Sequence, residues 1–118
     1  MQSSRVRILL GILLAALFVW AAGPGFTSPR SLDEHYDKHG SEFGTITKAE
    51  YLEMAQSLRD AKPGGNILEA RRADGVITRF DKKKGWFMAY NRNGRIRTFF
   101  KPNDGERYFR RQAERPPN

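Results

Sequence analysis

The two histidines of this chain, His35 and His39, lie four residues apart in a short segment that also carries Lys38. Imidazole is the side chain that most readily accepts and releases protons near neutral pH. A helix would place residues at this spacing on one face. The segment is therefore the first candidate for a site of proton transfer.

A His-x-x-x-His pair can also bind a metal ion. A zinc protease would have Glu directly after the first histidine, whereas position 36 is Tyr, and no motif supplies a third ligand. The sequence therefore predicts no metal site and no cofactor. Two exposed helix residues without a chemical role are the simple alternative for the histidines.

The first 24 residues have the pattern of an export signal. Arg5 and Arg7 precede an uncharged apolar run, which ends at Gly23, Pro24 and Gly25. The run of about 15 residues is shorter than the ~20 that span a membrane. It predicts a signal peptide or, because no clean cleavage site follows, an N-terminal membrane anchor. The predicted location is periplasmic or secreted, or anchored in the inner membrane and facing the periplasm.

Residues 25–112 are predicted to form one small basic domain. The chain has 21 Lys and Arg against 13 Asp and Glu, and only Arg5 and Arg7 lie in the leader. This excess favours nucleic acid, anionic lipid or an acidic protein as a partner, without choosing among them. Because cysteine is absent, the domain must fold on its hydrophobic core alone. The charged residues 110–118 have no apolar period, and 113–118 are predicted to be a flexible tail.

The order of the secondary structure elements predicts an α+β fold. Ser31 and Glu34 form a capping-box pattern before a short helix that ends at Gly40, and Thr47 and Glu50 form another before a longer helix. The period then changes to two in runs at 66–71, 76–80, 86–90 and 95–101, with turn residues between them. We expect N-terminal helices packed on an antiparallel meander of about four strands. The lysine-rich turn at 82–84 is interpreted as solvated.

The last strand has two different faces. Simple alternation groups its side chains into two sets, Ile96, Thr98 and Phe100 on one face and Arg95, Arg97, Phe99 and Lys101 on the other. The second set surrounds an aromatic ring with three cations, which suits a phosphate chain with a stacked base. An edge strand that repels other strands would have the same composition.

Several of these segments together resemble a known family. They are the residues HYDKHGSEFG at 35–44, the helix pattern Ala49-Glu50-Tyr51-Leu52 with Ala55, and the residues NGRIRTFFKP at 93–102 with Tyr108 and Phe109 beyond. This order is similar to that of the small toxin ribonucleases of the barnase, EndoU, colicin D and RelE type (the BECR group), above all their phage-borne and polymorphic-toxin members. The similarity spans about residues 32–112.

The resemblance implies an exported, toxin-like endoribonuclease that needs no metal and cleaves RNA, with tRNA as one candidate substrate. It points to His39 as the catalytic histidine, with Lys38 beside it. It also points to Thr98, Phe100 and Lys101 in the last strand. The chain departs from the pattern upstream of the histidine, where relatives have further basic residues and this chain has His35 and Asp37.

The chemistry of RNA cleavage fits this residue set. RNA carries its own nucleophile, the 2'-hydroxyl, so the enzyme needs a base, an acid and groups that stabilise charge on the phosphate. We assign His39 as general base or acid and His35 as a second proton carrier. Lys38 and Lys101 would stabilise charge, and Thr98 would donate a hydrogen bond.

Candidate substrate-binding residues lie near the C-terminal end of the domain, and they are Phe100, Phe99, Arg97 and Tyr108. If the cationic strand face is the working one, Phe99 and Arg97 join Lys101, and Thr98 and Phe100 turn inward. The resemblance favours Thr98 and Phe100.

The expected partners are an RNA substrate and an acidic immunity protein that would inhibit a basic enzyme. The protein is expected to be a monomer that meets a membrane only through an uncleaved leader. Two other classes of function remain. One is a non-catalytic nucleic-acid-binding module. The other is an envelope interaction protein that is tethered by its leader and whose positive charge meets anionic lipid headgroups.

Overall fold

The computed structural model describes residues 23–115. The helices of this part are α1 (Pro29–His39), α2 (Lys48–Asp60) and α3 (Glu106–Ala113), and a one-turn 3-10 helix (Gly40–Phe43) follows α1. The strands are β1 (Ile67–Arg71), β2 (Ile77–Asp81), β3 (Trp86–Tyr90) and β4 (Ile96–Phe100). Nearly all of the predicted export signal, residues 1–22, lies outside the described residues, as do residues 116–118 of the predicted tail.

The four strands form one antiparallel sheet in the order β1-β2-β3-β4, which confirms the predicted α+β fold with its meander. Helices α1 and α2 cover one face of the sheet. The buried residues of this layer include Phe26, Tyr51, Ala55, Leu58, Ile77, Met88, Tyr90, Ile96 and Phe99. The opposite face packs against α3.

Helix α3 was not predicted from the sequence. Its Phe109 is buried against Val76, Phe80, Phe87 and Ala89 on the second face of the sheet. The residues Arg110 to Ala113, interpreted as part of a charged end without an apolar period, belong to this helix. The aromatic residues of α3 that reach the sheet, Tyr108 and Phe109, lie within one turn, and the other positions are mostly charged.

The two N-terminal helices begin with side-chain caps. Helix α1 begins three residues earlier than predicted, because Ser28 accepts a hydrogen bond from the Ser31 backbone N–H at 3.0 Å and Pro29 occupies the first helical position. Proline suits that position because its φ is already helical and no N–H is needed there. Helix α2 has the predicted capping box, with Glu50 N–H donating to Thr47 Oγ1 at 3.1 Å and Thr47 N–H donating to Glu50 Oε1 at 2.8 Å.

A β-bulge in β4 changes which side chains share a face. Ile96 pairs with Tyr90 and Thr98 pairs with Ala89, so Arg97 is an extra residue without a partner position on β3. As a result Ile96 and Phe99 both enter the α1 and α2 layer. Phe100 packs on the α3 side instead. The predicted alternation, which placed Phe100 with Ile96 and Phe99 with Arg97, was therefore wrong.

The segment before α1 is bound to the edge strand β4. The Ile96 N–H donates to the Gly25 carbonyl at 2.9 Å, and the Thr27 N–H donates to the Ile96 carbonyl at 3.1 Å. Gln56 Nε2 donates to the Pro24 carbonyl at 3.3 Å, while Phe26 is buried in the core. The chain is thus part of the folded body from its first described residues. Between residues 23 and 115, no helix has the length and hydropathy needed to cross a membrane.

Candidate active site

His39 is the last residue of α1, and its ring is held from two sides. Its Nδ1 lies 2.6 Å from Oε2 of Glu42. Its ring stacks on Phe100, with centroids 5.0 Å apart and 27° between the planes. The side chain is 15% exposed. The imidazole therefore has a defined orientation but still reaches solvent.

Glu42 lies on the 3-10 turn that follows α1 and joins His39 to the end of β4. Its Oε2 contacts the histidine, and its Oε1 accepts a hydrogen bond from the Lys101 backbone N–H at 2.8 Å. Because a carboxylate only accepts hydrogen bonds, Nδ1 of His39 carries the proton of that contact. Nε2 is then the nitrogen available to a substrate.

Gly40 makes this turn possible. A Cβ atom at this position would lie 2.7 Å from Cδ1 of Tyr36, which is closer than real side chains approach. The Tyr36 ring packs against Tyr51 in the core layer, and its hydroxyl donates to the Ile46 carbonyl at 2.6 Å. Glycine therefore lets the chain pass over a fixed ring and continue to Glu42.

His35 lies beside His39, as the helical spacing predicted. Its Nδ1 lies 2.8 Å from the Ser31 carbonyl, so this nitrogen is the donor and Nε2 is the basic nitrogen of the neutral ring. The His35 ring contacts Phe26 at 5.4 Å and His39 at 6.2 Å between centroids. Two oriented imidazoles thus meet at the C-terminal end of α1.

The Phe100 ring connects His39 to α3. It packs edge-to-face against Tyr108 at 5.2 Å and against Phe87 at 5.6 Å. Burial raises the pKa of the Tyr108 hydroxyl, although the charges of Arg115 and Arg111 oppose the shift. The hydroxyl stays protonated at neutral pH and can donate a hydrogen bond.

The other predicted strand residues lie at different distances from His39. Lys101 belongs to the site through its backbone N–H, and its Nζ lies 5.7 Å from the centroid of the Phe43 ring. Thr98 is half-buried opposite Ala89. Arg97 is exposed and donates to Asn91 Oδ1 at 3.1 Å, near the other end of β4.

Lys38 is exposed on the last turn of α1, directly before His39. Its side chain is therefore open to solvent close to His39 in the chain. A lysine there can attract a phosphate without first giving up another partner.

Phe99 does not reach the site. Its side chain is 0% exposed and packs against Phe43 at 4.5 Å, Tyr51 at 5.3 Å and Trp86 at 5.5 Å. Its carbonyl accepts a hydrogen bond from the Tyr51 hydroxyl. The proposed role of Phe99 as a stacking surface is therefore corrected: the bulge at Arg97 turns its ring into the core.

Glu42 is the site residue that the sequence interpretation missed. It was part of the histidine segment, but no role was assigned to it. The available signal was its position three residues after His39, with Gly40 between them. In the part of the chain that the structure describes, no three His, Asp or Glu side chains are arranged to hold a metal ion.

No protein-family model and no curated protein sequence matches this chain. The resemblance to toxin ribonucleases therefore rests on the quoted residues, and any functional conclusion rests on the geometry of the chain itself.

Proposed function

We propose that the protein is an exported endoribonuclease of the BECR type that cleaves RNA through its own 2'-hydroxyl. The observation that carries the proposal is the contact set of His39, which has Nδ1 on Glu42 and its ring on Phe100 beside the end of β4. This arrangement supports proton transfer because it fixes the tautomer and leaves Nε2 for the substrate.

In the proposed reaction, Nε2 of His39 removes the proton of the 2'-hydroxyl. The 2'-oxygen then forms a bond to the adjacent phosphorus, and the bond from phosphorus to the 5'-oxygen breaks. The products are a 2',3'-cyclic phosphate and a 5'-hydroxyl. Glu42 stabilises the imidazolium that His39 becomes, in the way a carboxylate supports histidine in other acid–base sites.

His35 is the candidate acid for the departing 5'-oxygen. Its ring lies 6.2 Å from that of His39, a separation that lets one phosphodiester contact both. His35 must be protonated at the start of a turnover and His39 neutral. Each turnover would therefore need the two histidines in opposite protonation states.

Cationic and hydrogen-bonding groups around the histidines would stabilise charge on the phosphate. Lys38 and Lys101 are the nearest candidates by position, and the Tyr108 hydroxyl and Thr98 are candidate donors. Phe100 already offers a face to His39. We therefore assign it to holding the catalytic ring rather than to stacking on a base.

Export and inhibition complete the proposal. Export depends on the leader pattern of residues 1–24, and the formal charge of +8 suits an acidic immunity protein that would cover the site. The alternative of a non-catalytic binding module has the same charge but requires no oriented histidine.

The test is incubation of the purified protein with tRNA in the presence of EDTA. We expect fragments that end in cyclic phosphate, and His39→Ala should lower the cleavage rate by roughly 10²–10⁴-fold. Lys62→Ala, in the exposed loop after α2, is the matched surface control and should leave the rate unchanged. Binding of tRNA without cleavage would favour the non-catalytic module, and cleavage that survives His39→Ala would refute the assignment.

A further inference from the structure

A groove lies between the end of α2 and the β2–β3 hairpin, outside the proposed catalytic site. Its volume is about 250 Å³. Its lining is mixed: Ser57, Leu58, Ala61 and Ile67 lie on one side, and the hairpin contributes Asp81, Lys84 and Trp86. Pockets for drug-sized ligands are larger, at about 300–1,000 Å³, so this groove suits one planar ring system.

Trp86 gives the groove an aromatic wall, and a cation lies over its ring. The Nζ atom of Lys84 lies 4.5 Å from the centroid of the Trp86 ring. Lys82 and Lys83 are exposed on the same turn. The lysine-rich turn, interpreted from sequence as solvated, therefore places positive charge next to a surface on which a ring can stack.

A continuous set of contacts connects this groove to His39. Trp86 packs edge-to-face against Phe43 at 5.6 Å, and the Nζ atom of Lys101 lies 5.7 Å from the Phe43 centroid. The Lys101 backbone N–H donates to Glu42, the carboxylate that holds His39. We call Phe43, Lys101, Trp86 and Lys84 the aromatic–lysine track.

We propose that the aromatic–lysine track binds single-stranded RNA next to the bond that is cleaved. One base enters the groove and stacks on Trp86 in place of the Lys84 ammonium, which turns to contact a phosphate, and a second phosphate contacts Lys101. The inference rests on the proposed function, because that function makes RNA the ligand. Alternating aromatic and cationic groups are how proteins hold single strands without reading a duplex.

Asp81 adds a preference for certain bases. Its Oδ1 accepts hydrogen bonds from the backbone N–H groups of Lys83 at 2.9 Å and Lys84 at 3.0 Å, which holds the carboxylate at the groove. A carboxylate can only accept hydrogen bonds. It therefore favours a base with an exocyclic amino group, such as cytosine, over uracil, which has none.

The test uses the fluorescence of Trp86. The chain has two tryptophans, so the full-length variant Trp20→Phe leaves Trp86 as the only emitter. His39→Ala is added to exclude cleavage. The probes are labelled hexamers of 2'-O-methylcytidine and 2'-O-methyluridine, which lack the attacking hydroxyl. Binding is measured by anisotropy of the label and by quenching of Trp86.

We expect saturable quenching by the cytidine hexamer and weaker binding of the uridine hexamer. Lys84→Gln should weaken binding of the cytidine hexamer at least about fivefold, because it removes the charge that contacts a phosphate next to the stacked base. Lys83→Gln removes the same charge from the same turn but not from the Trp86 ring, and should weaken binding less than about twofold. Trp86→Leu should abolish the discrimination between the two hexamers.

Several results would overturn the proposal that the aromatic–lysine track binds RNA. They are anisotropy changes without quenching of Trp86, equal losses in Lys83→Gln and Lys84→Gln, or no binding of either hexamer. Equal affinity for the two hexamers would overturn the role of Asp81. If the protein without substitutions cleaves tRNA but the hexamers do not quench Trp86, the proposed binding track is wrong and the catalytic assignment stands. If the hexamers quench Trp86 but the protein without substitutions leaves tRNA intact, the catalytic assignment is wrong and the binding track stands.

Discussion

The carboxylate of Glu42 lies 2.6 Å from Nδ1 of His39, three residues away along the chain. The same carboxylate accepts a hydrogen bond from the backbone N–H of Lys101, the residue directly after β4. A local turn and a distant strand end are thus joined at one side chain. The orientation of the histidine depends on both.

Replacement of Glu42 by Gln tests this contact. The amide would present an N–H to Nδ1, so His39 would shift its proton to Nε2 and lose the basic nitrogen that faces the substrate. We expect kcat for RNA cleavage to fall by roughly 10²-fold or more, with a smaller change in KM.

Glu53→Gln is the matched control for this variant, because Glu53 is exposed on α2 and the substitution is identical in chemistry. It should leave kcat unchanged. A Glu42→Gln enzyme with normal kcat would show that the carboxylate does not set the tautomer of His39.

Replacement of Phe99 should mainly lower stability, whereas replacement of its neighbour Phe100 should mainly lower kcat. Phe99→Leu should lower the free energy of unfolding by about 1–3 kcal/mol, because three aromatic partners lose a fully buried ring. The folded fraction should keep its activity. Phe100→Leu should cost less stability but lower kcat about tenfold, because His39 loses its stacking partner.

Urea unfolding and initial rates on the same samples separate the two effects. A variant Phe99→Leu that folds normally but loses activity would contradict the assignment of this residue to the core.

The dependence of cleavage on pH tests the role of His35. If one histidine is the base and the other the acid, kcat/KM should have a rising and a falling limb. His35→Asn keeps an amide near the Ser31 carbonyl but cannot titrate. It should remove one limb and leave the other in place. A profile that keeps both limbs in the variant would assign the second proton transfer to another group.

Tyr51 should make the protein sensitive to alkali. Burial raises the pKa of its hydroxyl above the ordinary value of 10.0, and the negative charge of Glu42 adds to the shift. Below about pH 10 the hydroxyl is protonated in both the folded and unfolded states, so it adds no pH dependence. Above this value the unfolded chain loses the proton while the folded protein keeps it. The free energy of unfolding should therefore fall with pH, by about 1.4 kcal/mol per unit from this group.

Tyr51→Phe should remove that slope. At neutral pH it should cost only about 0.5–1.5 kcal/mol for the lost hydrogen bond to the Phe99 carbonyl. Urea unfolding of both proteins at about pH 8 and about pH 11 measures the difference. Equal alkaline losses in the two proteins would assign the effect to other groups.

Local signals in the sequence were enough to predict most of the elements. The Thr47 and Glu50 capping box marks the start of α2, and the run from Trp86 to Tyr90 is strand β3 at its predicted bounds. The start of α1 was missed because Ser31 and Glu34 have a capping-box pattern, although Pro29 directly after Ser28 is a local signal for the earlier start.

Features that depend on contacts between distant parts of the chain could not be predicted from such local signals. Helix α3 packs on the second sheet face through Tyr108 and Phe109, two aromatic residues within one turn of a mostly charged sequence. The pattern of apolar and polar residues in β4 does not indicate the bulge at Arg97. The bulge decides, however, that Phe100 rather than Phe99 meets His39.

The candidate site was predictable in part. The two histidines share a helix face because of their spacing, and the resemblance placed Phe100 and Lys101 near His39. The role of Glu42 could not be predicted, because it depends on a 3-10 turn and on a strand about sixty residues later.

The attachment of the first described residues to β4 bears on how a precursor would be processed. The hydrogen bonds that hold this segment involve Gly25, Thr27 and Pro24, all of which follow residue 22. A protease that cuts before Gly23 would break none of them. Under the proposed export, precursor and product would therefore share one folded body, and an inhibitor that recognises the proposed catalytic site could bind both.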